Sequence, residues 1–260
     1  MTSKKALNFE TIITTRLVST NRKSLLDHLA GLVESNNKTI LFTPNPEFVV
    51  YSDRHSWFKR ALTQSDINIP DGVGLSLAGR VLKKPLEERI TGVDLTIDLC
   101  REASKRGWSV YFIGGRPGIA EEASLKLKEE FGDLKIWSSH GPSLELNEDS
   151  GELSPSIEIK KTIEEINKKK PDLLFVAFGM GKQEKFIIDN IKKLDVKIAL
   201  GVGGSFDYIS GRAKRAPLWV RGMGFEWLFR LVREPWRLRR QLNLLVFAKL
   251  VLKEKLSRFF

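Results

Sequence analysis

Residues 172–207 read DLLFVAFGMGKQEKFIIDNIKKLDVKIALGVGGSFD, and the order of patterns within them decides the fold. Asp172 to Phe178 is a short, almost unbroken apolar run, the mark of a strand buried on both faces. Gly179-Met180-Gly181 supplies a turn. Gln183 to Leu194 has helical spacing, and Val196 to Val202 is a second buried-type strand that stops at Gly203-Gly204. A strand, a glycine turn, a helix and another strand make one unit of a parallel sheet, because parallel neighbours need a crossover connection.

The same alternation continues towards the N-terminus. Trp108 to Ile113 reads as a strand, turned by Gly114-Gly115 into a helix from Pro117 to Phe131. Leu134 to Trp137 is a strand, Ser138 to Ser156 a polar surface loop and Ile157 to Lys169 a helix. Earlier still, Phe9 to Val18 reads as one β-branched strand and Asn21 to Ser35 as a helix. Thr39 to Thr43 is a strand ended by Pro44-Asn45-Pro46, and a single helix is expected through Phe48, Val49, Trp57, Phe58 and Leu62. Ile67 to Pro70 is a strand stopped by Asp71-Gly72, Val73 to Val81 is helical, Arg89 to Gly92 is a loop and Val93 to Ser104 a helix. Strands alternating with helices place the chain in the α/β class, with a largely parallel sheet flanked by helices.

The charge is gathered at the other end. Between Arg212 and Arg258 there are thirteen Lys or Arg against three acids, so this segment holds about +10 of a whole-chain balance of +11. Trp219, Trp227, Phe229, Trp236, Leu242, Leu245, Phe247 and Leu252 are interleaved with these charges. The division expected is an α/β domain over 1–210 and a basic amphipathic helical appendage over 211–260. Basic residues beside leucine and tryptophan suit an anionic membrane surface; the alternative is a helix docked on its own domain with a solvated charged face. There is no run of eighteen apolar residues, so the segment is expected to lie on a bilayer and not to span it. Nucleic acid is disfavoured as a partner, since no zinc-finger or RNA-binding signature accompanies the charge. The one cysteine, Cys100, excludes an internal disulfide and a cysteine metal cluster, and the opening MTSKKALNFETIITT has no apolar core of a signal peptide. These features point to the cytoplasm.

In an open α/β sheet ligands bind at the carboxyl ends of the strands. Here those ends carry Thr43 and Asn45, Asp71 and Gly72, Gly114 and Gly115, Gly179, Gly181 and Gln183, and Gly203, Gly204 and Asp207. Glycines there let backbone N–H groups approach a phosphate, so Gly114, Gly115, Gly181, Gly204 and Asp207 are candidates for nucleotide binding. Gly181-Lys182 is followed by Gln183 and is not a Walker A loop, and Gly201 to Gly204 lacks the third glycine of a dinucleotide fingerprint. No D-x-D occurs, and His28, His55 and His140 have no metal-ligand spacing. No metal and no cofactor are therefore expected. Asp71 is the candidate base, a carboxylate on a tight turn where partial desolvation would raise its pKa towards a useful value. From spacing alone, an Asp that merely starts the turn or caps the next helix is an equal reading.

The set T-P-N-P at 43–46, P-D-G at 70–72, R-I-T-G-V-D at 89–94, F-I-G-G at 112–115, G-M-G-K-Q-E at 179–184 and G-V-G-G-S-F-D at 201–207 resembles the WecG/TagA/CpsF family of glycosyltransferases. The resemblance runs from about Thr43 to Arg240. It implies an inverting enzyme of bacterial surface-polymer synthesis, moving a sugar from a UDP-sugar to a polyprenyl-diphosphate-linked N-acetylglucosamine at the inner face of the plasma membrane. The donor of the best-described branch is UDP-N-acetylmannosamine, for wall teichoic acid linkage units; another branch uses UDP-N-acetylmannosaminuronic acid. By the same resemblance Asp71 is the base, Thr43 and Asn45 lie near the two sugars, and Arg89 and Gln183 line the pocket. Arg230, Arg237 and Arg240, with Arg233 as a further candidate, are brought over the site by the appendage. Pro235 is expected to start a helix from which Arg237 and Arg240 project on one face. With no D-x-D for a metal, arginines must neutralise the leaving diphosphate. Oligomeric state is left open, a homo-oligomer included, and a non-catalytic basic lipid- or nucleic-acid-binding module is the reading from another class.

Overall fold

The computed structural model describes residues 7–35, 37–233 and 238–257, of which 230 and 238–241 are described in their backbone alone. Its centre is a six-stranded, wholly parallel sheet in the order β4-β3-β10-β9-β5-β6. Those strands are β3 (Thr39–Phe42), β4 (Ile67–Asn68), β5 (Ser109–Gly114), β6 (Lys135–Ser139), β9 (Leu173–Ala177) and β10 (Ile198–Gly201). Side chains alternate across a strand, and the apolar runs fill both faces. Leu41, Phe112, Phe175 and Leu200 point one way, where they meet α1 (Arg22–Glu34), α5 (Gly92–Arg106), α6 (Ile119–Phe131) and the short α9 (Ser205–Ile209). Phe42, Ile113, Val176 and Ala199 point the other way, onto α3 (Ser56–Gln64), α7 (Ser156–Lys169) and α8 (Lys182–Asn190). The Phe112 ring stacks on Phe206 at 4.4 Å and meets Phe175 edge-on at 5.2 Å. Each such buried side chain contributes about 1.5–3 kcal/mol.

The expected α/β class and parallel sheet are what the structure has. Three local expectations are corrected. Phe9 to Val18 is not one strand but an antiparallel hairpin, β1 (Asn8–Ile12) and β2 (Thr15–Ser19), with Ile12 paired to Thr15 across a tight turn. The β-branched run hides the turn, which places Ile13 at φ 59°. The single helix expected after Pro46 is broken into α2 (Pro46–Arg54) and α3 at His55, whose backbone is extended. His55 donates its N–H to Tyr51 O at 2.9 Å and accepts from Phe58 N at 3.1 Å, so one residue ends one helix and begins the next. The polar stretch 138–156 contains a small hairpin, β7 (Glu145–Leu146) with β8 (Leu153–Ser154). Trp57 Nε1 pins it by donating to Glu148 O at 2.7 Å.

Beyond residue 210 the described chain forms α10 (Leu218–Gly222), α11 (Glu226–Arg233) and α12 (Leu238–Leu256). α12 is docked, not free. Its Phe247 and Val251 enter a third core with Ile12 and Leu17 of the first hairpin, Val49 and Val50 of α2, and Leu75, Ala78 and Leu82, of which Leu75 and Ala78 belong to α4 (Val73–Val81). Glu254 fastens the same junction: Ile13 N–H donates to it at 2.7 Å and Lys84 Nζ at 3.3 Å. The expected helix start at Pro235 lies outside the described residues. Among the described residues no helix is long and apolar enough to cross a membrane.

Candidate active site

The sheet opens where consecutive connections diverge. After β3 the chain turns into α2, whose Phe48 packs on one face, whereas after β10 it turns into α9 on the other. A crevice at the carboxyl ends of β3 and β10 follows from that topology. It is a cleft of about 1010 Å³. Of the residues expected at the site, Thr43, Asn45, Asp71, Arg89, Gln183, Gly204 and Asp207 all line it.

The floor is built by short-range constraints. Thr43 is buried and donates its hydroxyl to Gly201 O at 3.3 Å, joining the ends of β3 and β10. Asn45 caps α2, its side-chain oxygen accepting from Glu47 N at 2.8 Å and Phe48 N at 3.3 Å; its oxygen is therefore already engaged. Asp71 leaves β4 on the Pro70-Asp71-Gly72 turn, with its N–H donated to Pro44 O at 2.8 Å. Gly72 has φ 92°, open to glycine and costly for other residues. The turn aims the Asp71 carboxylate at the start of α5, where Gly92 N–H donates to Oδ2 at 3.2 Å. A carboxylate at a helix N-terminus is held by unsatisfied N–H groups and by the helix dipole. Gly92 also leaves room for Thr43 and Ser205, since a Cβ there would lie 3.2 Å from Thr43 Oγ1 and 3.4 Å from Ser205 Oγ.

Gln183 is almost wholly buried, and its amide is used at both ends. Its Oε1 accepts from Gly203 N at 2.9 Å and its Nε2 donates to Glu184 Oε1 at 2.6 Å. Glu184 Oε2 in turn accepts from Gly181 N at 2.7 Å. Full burial pushes the Glu184 carboxyl up to about 7, although the Gln183 and Gly181 donors favour its charged form. Gln183 thus fixes the Gly203-Gly204 loop against α8 as much as it presents a face to the cleft. Gly181 does not line the cleft, and neither do Gly114 and Gly115. Gly114 lets β5 close on β9, since a Cβ would fall 2.7 Å from the Ala177 backbone, and Gly115 N–H donates to Ala177 O at 2.9 Å. Asp207 pairs with Arg116 at 3.0 Å on the rim.

The sequence reading missed the cluster that holds the C-terminal segment over the floor. Arg215 grips Asp94 with two hydrogen bonds, at 2.6 and 2.8 Å, and donates to Thr91 Oγ1 at 3.0 Å. Thr91 caps α5 and donates to Asp94 at 2.7 Å. Burial alone would raise the Asp94 carboxyl, but the Arg215 and Thr91 hydrogen bonds and the Arg215 charge outweigh it and hold the group at about 2. Arg215 Nε faces Glu226 of α11 at 3.7 Å, and the guanidinium also feels the charge of Asp71. Arg89 donates to Arg221 O of α10 at 3.0 Å. Asp94 lies within the R-I-T-G-V-D motif and Arg215 within the basic tail, but nothing in a single sequence pairs residues 121 apart.

Of the arginines expected over the site, Arg237 lies outside the described residues, as do the side chains of Arg230 and Arg240. Arg233 is exposed, with its guanidinium 4.9 Å from the Phe229 ring. Among the described residues no three His, Cys, Asp or Glu side chains are grouped as a metal site.

The cleft also has an apolar wall. It is made by Leu77, Ala78 and Val81 of α4 and by residues 244, 247, 248, 251 and 252 of α12.

The chain is 30% identical over 250 residues to the N-acetylglucosaminyldiphosphoundecaprenol N-acetyl-beta-D-mannosaminyltransferase of Bacillus subtilis (strain 168), covering 96% of this chain and 93% of that protein. It is 30% identical over 239 residues to the protein of that name in Bacillus spizizenii (strain ATCC 23059 / NRRL B-14472 / W23), covering 92% and 88%. The protein of that name in Staphylococcus aureus (strain MRSA252) is 28% identical over 222 residues, covering 85% and 83%. Residues 10–259 match the family described as Glycosyl transferase WecG/TagA/CpsF, a span that takes in the sheet, the cleft and both of its walls, and the chain belongs to that family of glycosyltransferases.

Proposed function

We propose that the protein transfers N-acetylmannosamine from its UDP-sugar to N-acetylglucosamine on a polyprenyl diphosphate, with inversion and without a metal ion. The observation that carries the reading is the placement of Asp71. One carboxylate stands at the carboxyl end of β4, oriented by Gly92 N–H, in the same cleft as Thr43, Arg89 and Gln183. In a single displacement the acceptor hydroxyl oxygen forms a bond to the donor C1 while the C1–O bond to UDP breaks. Asp71 takes the hydroxyl proton, and UDP leaves with the bonding pair. One carboxylate suffices for that step, and the product has the opposite anomeric configuration to the donor. Charge growing on the leaving diphosphate calls for cationic partners. Arg89, Arg116 and Arg212 line the cleft, and the sequence has no D-x-D.

The names of the relatives support the donor sugar and the lipid-linked acceptor. Such an acceptor lies in a membrane, and the reading places the protein peripherally on its cytoplasmic face. Leu218, Trp219, Met223 and Val232 of the C-terminal segment are more than half exposed, in a stretch rich in Arg and Lys, the combination that suits an anionic interface. The test is UDP release and product analysis with UDP-N-acetylmannosamine, with and without undecaprenyl-diphosphate N-acetylglucosamine, in excess EDTA. Acceptor-dependent release and an inverted product are expected. Release that ignores the acceptor refutes the transfer, and loss in EDTA restored by Mg²⁺ or Mn²⁺ refutes metal independence.

A further inference from the structure

We propose that the apolar wall of the cleft, where α4 and α12 face each other, is a subsite for the first isoprene units of the acceptor's polyprenyl chain. The inference rests on the proposed function for the nature of the acceptor, and on the cleft itself for the rest. α4 begins directly after the Asp71-Gly72 turn, so its residues lead away from the candidate base in an unbroken line. Eight residue steps at about 1.5 Å each make a track of ~12 Å. Leu77, Ala78 and Val81 stand on the cleft side of that track. On α12 the cleft-lining positions 244, 247, 248, 251 and 252 fall at the i, i+3, i+4, i+7, i+8 spacing of one helix face. The two helices pack on each other through Ala78, Phe247 and Val251, and Leu77, Val81 and Leu252 beside that contact present one apolar surface to the cleft.

These residues are not simply core. Leu77 is 52%, Val81 41% and Leu252 55% exposed, while Phe247 and Val251 behind them are buried. Large apolar side chains left open in a concave site mark it for an apolar ligand. A diphosphate gains nothing from such a wall, and a sugar or a nucleoside gains far less than a hydrocarbon chain. A ligand with a polar head and a branched hydrocarbon tail matches both halves: the N-acetylglucosamine hydroxyl at Asp71, the diphosphate beside it and the tail along α4. The wall is continuous with the reaction cleft, which sets it apart from Leu242, Leu245 and Leu256, exposed leucines of α12 that do not line it. An acyl chain of a bilayer lipid could fill the same space, and the experiment separates the two.

The experiment uses the full chain, in detergent micelles and on anionic vesicles, and measures kcat/KM for two acceptors. One is undecaprenyl-diphosphate N-acetylglucosamine and the other butyl-diphosphate N-acetylglucosamine. The readout is the ratio between them for the wild type, for Leu77→Gln with Val81→Asn, and for Leu245→Gln. Both side chains are exposed, and turnover of the butyl acceptor reports whether the fold and the chemistry survive the double variant. The proposal expects the undecaprenyl-to-butyl ratio to fall about tenfold or more in the double variant and to hold in Leu245→Gln. A ratio that is unchanged, or that falls equally in Leu245→Gln, overturns it. So does a loss seen on vesicles that vanishes in micelles, which would make the wall a membrane contact. If the wild type transfers to neither acceptor, the proposed function itself has failed; if it transfers to both with the ratio insensitive to the double variant, only the subsite has.

Discussion

Replacing Arg215 with alanine tests how the C-terminal segment is held over the cleft. Arg215 and Asp94 expose only 18% and 26% of their side chains, so solvent screens them less than a surface pair. The Asp94 carboxyl is held at about 2 against an ordinary 3.8, and each tenfold change in proton affinity corresponds to about 1.4 kcal/mol. The ionised form is therefore favoured in the fold by about 2 kcal/mol at pH 7. The sign follows from the depressed value. The stabilisation is fully present above the unfolded pKa and is lost as pH falls through the folded one, so about 1 kcal/mol should remain at pH 3. Arg215→Ala should cost about 2–3 kcal/mol at pH 7, because it also leaves Asp94 half-buried with only Thr91 close by and Arg221 at 3.9 Å. For a chain of this size that corresponds to a fall in Tm of roughly 5–10 °C. Urea unfolding of wild type, Arg215→Ala, Asp94→Asn and the double variant at pH 7 and pH 3 completes the cycle. A coupling of about 2 kcal/mol at pH 7 that roughly halves at pH 3 is expected. A coupling below about 0.5 kcal/mol, or one that ignores pH, would show that the pair does not fasten the segment.

Asp71→Asn should lower turnover by about 10²–10⁴-fold while UDP-sugar binding, read by calorimetry, stays near wild type; near-normal turnover removes Asp71 as base. Glu184→Gln should abolish a pH dependence of stability. The folded Glu184 carboxyl is raised to about 7, so the folded state binds the extra proton and wild type should lose about 2–3 kcal/mol as pH rises from roughly 4.5 to 8. Urea midpoints of the variant that fall in parallel with wild type over that range would contradict the burial argument. Leu218→Ser with Trp219→Ser should weaken sedimentation with anionic vesicles about tenfold or more and leave the unfolding free energy within about 0.5 kcal/mol of wild type; unchanged sedimentation moves the membrane contact elsewhere.

The stretch 172–207 was legible because its physics is local. Buried parallel strands read as continuous apolar runs, and glycine turns set their ends, so β9, α8 and β10 lie within a few residues of where the pattern puts them. Asp71, Thr43, Asn45 and Gln183 were legible as a cleft because strand ends converge in any sheet of this kind. The break at His55 was not legible, since helical spacing on either side of it is intact and one extended residue leaves no compositional trace. The Ile13 turn was hidden because it lacks glycine, asparagine and proline. The glycines at 114, 115 and 181 lie off the cleft. Glycine at a strand end reads as a ligand contact, yet at Gly114 the space is taken by a neighbouring backbone. The Arg215–Asp94 clasp depends on tertiary placement, which no periodicity encodes.

The junction of Ile13 with Glu254 bears on how the protein is made. A ribosome extends the chain from its N-terminus, so the first hairpin, α2 and α4 emerge long before α12. Until residues 247–251 are synthesised, Ile12, Leu17, Val49 and Leu75 lack the helix that covers them, and the emerging chain shows an adhesive surface to chaperones and to its own neighbours. The α12 half of the wall beside Asp71 is missing for the same interval. The third core therefore closes only once α12 has been made and has seated on the first hairpin.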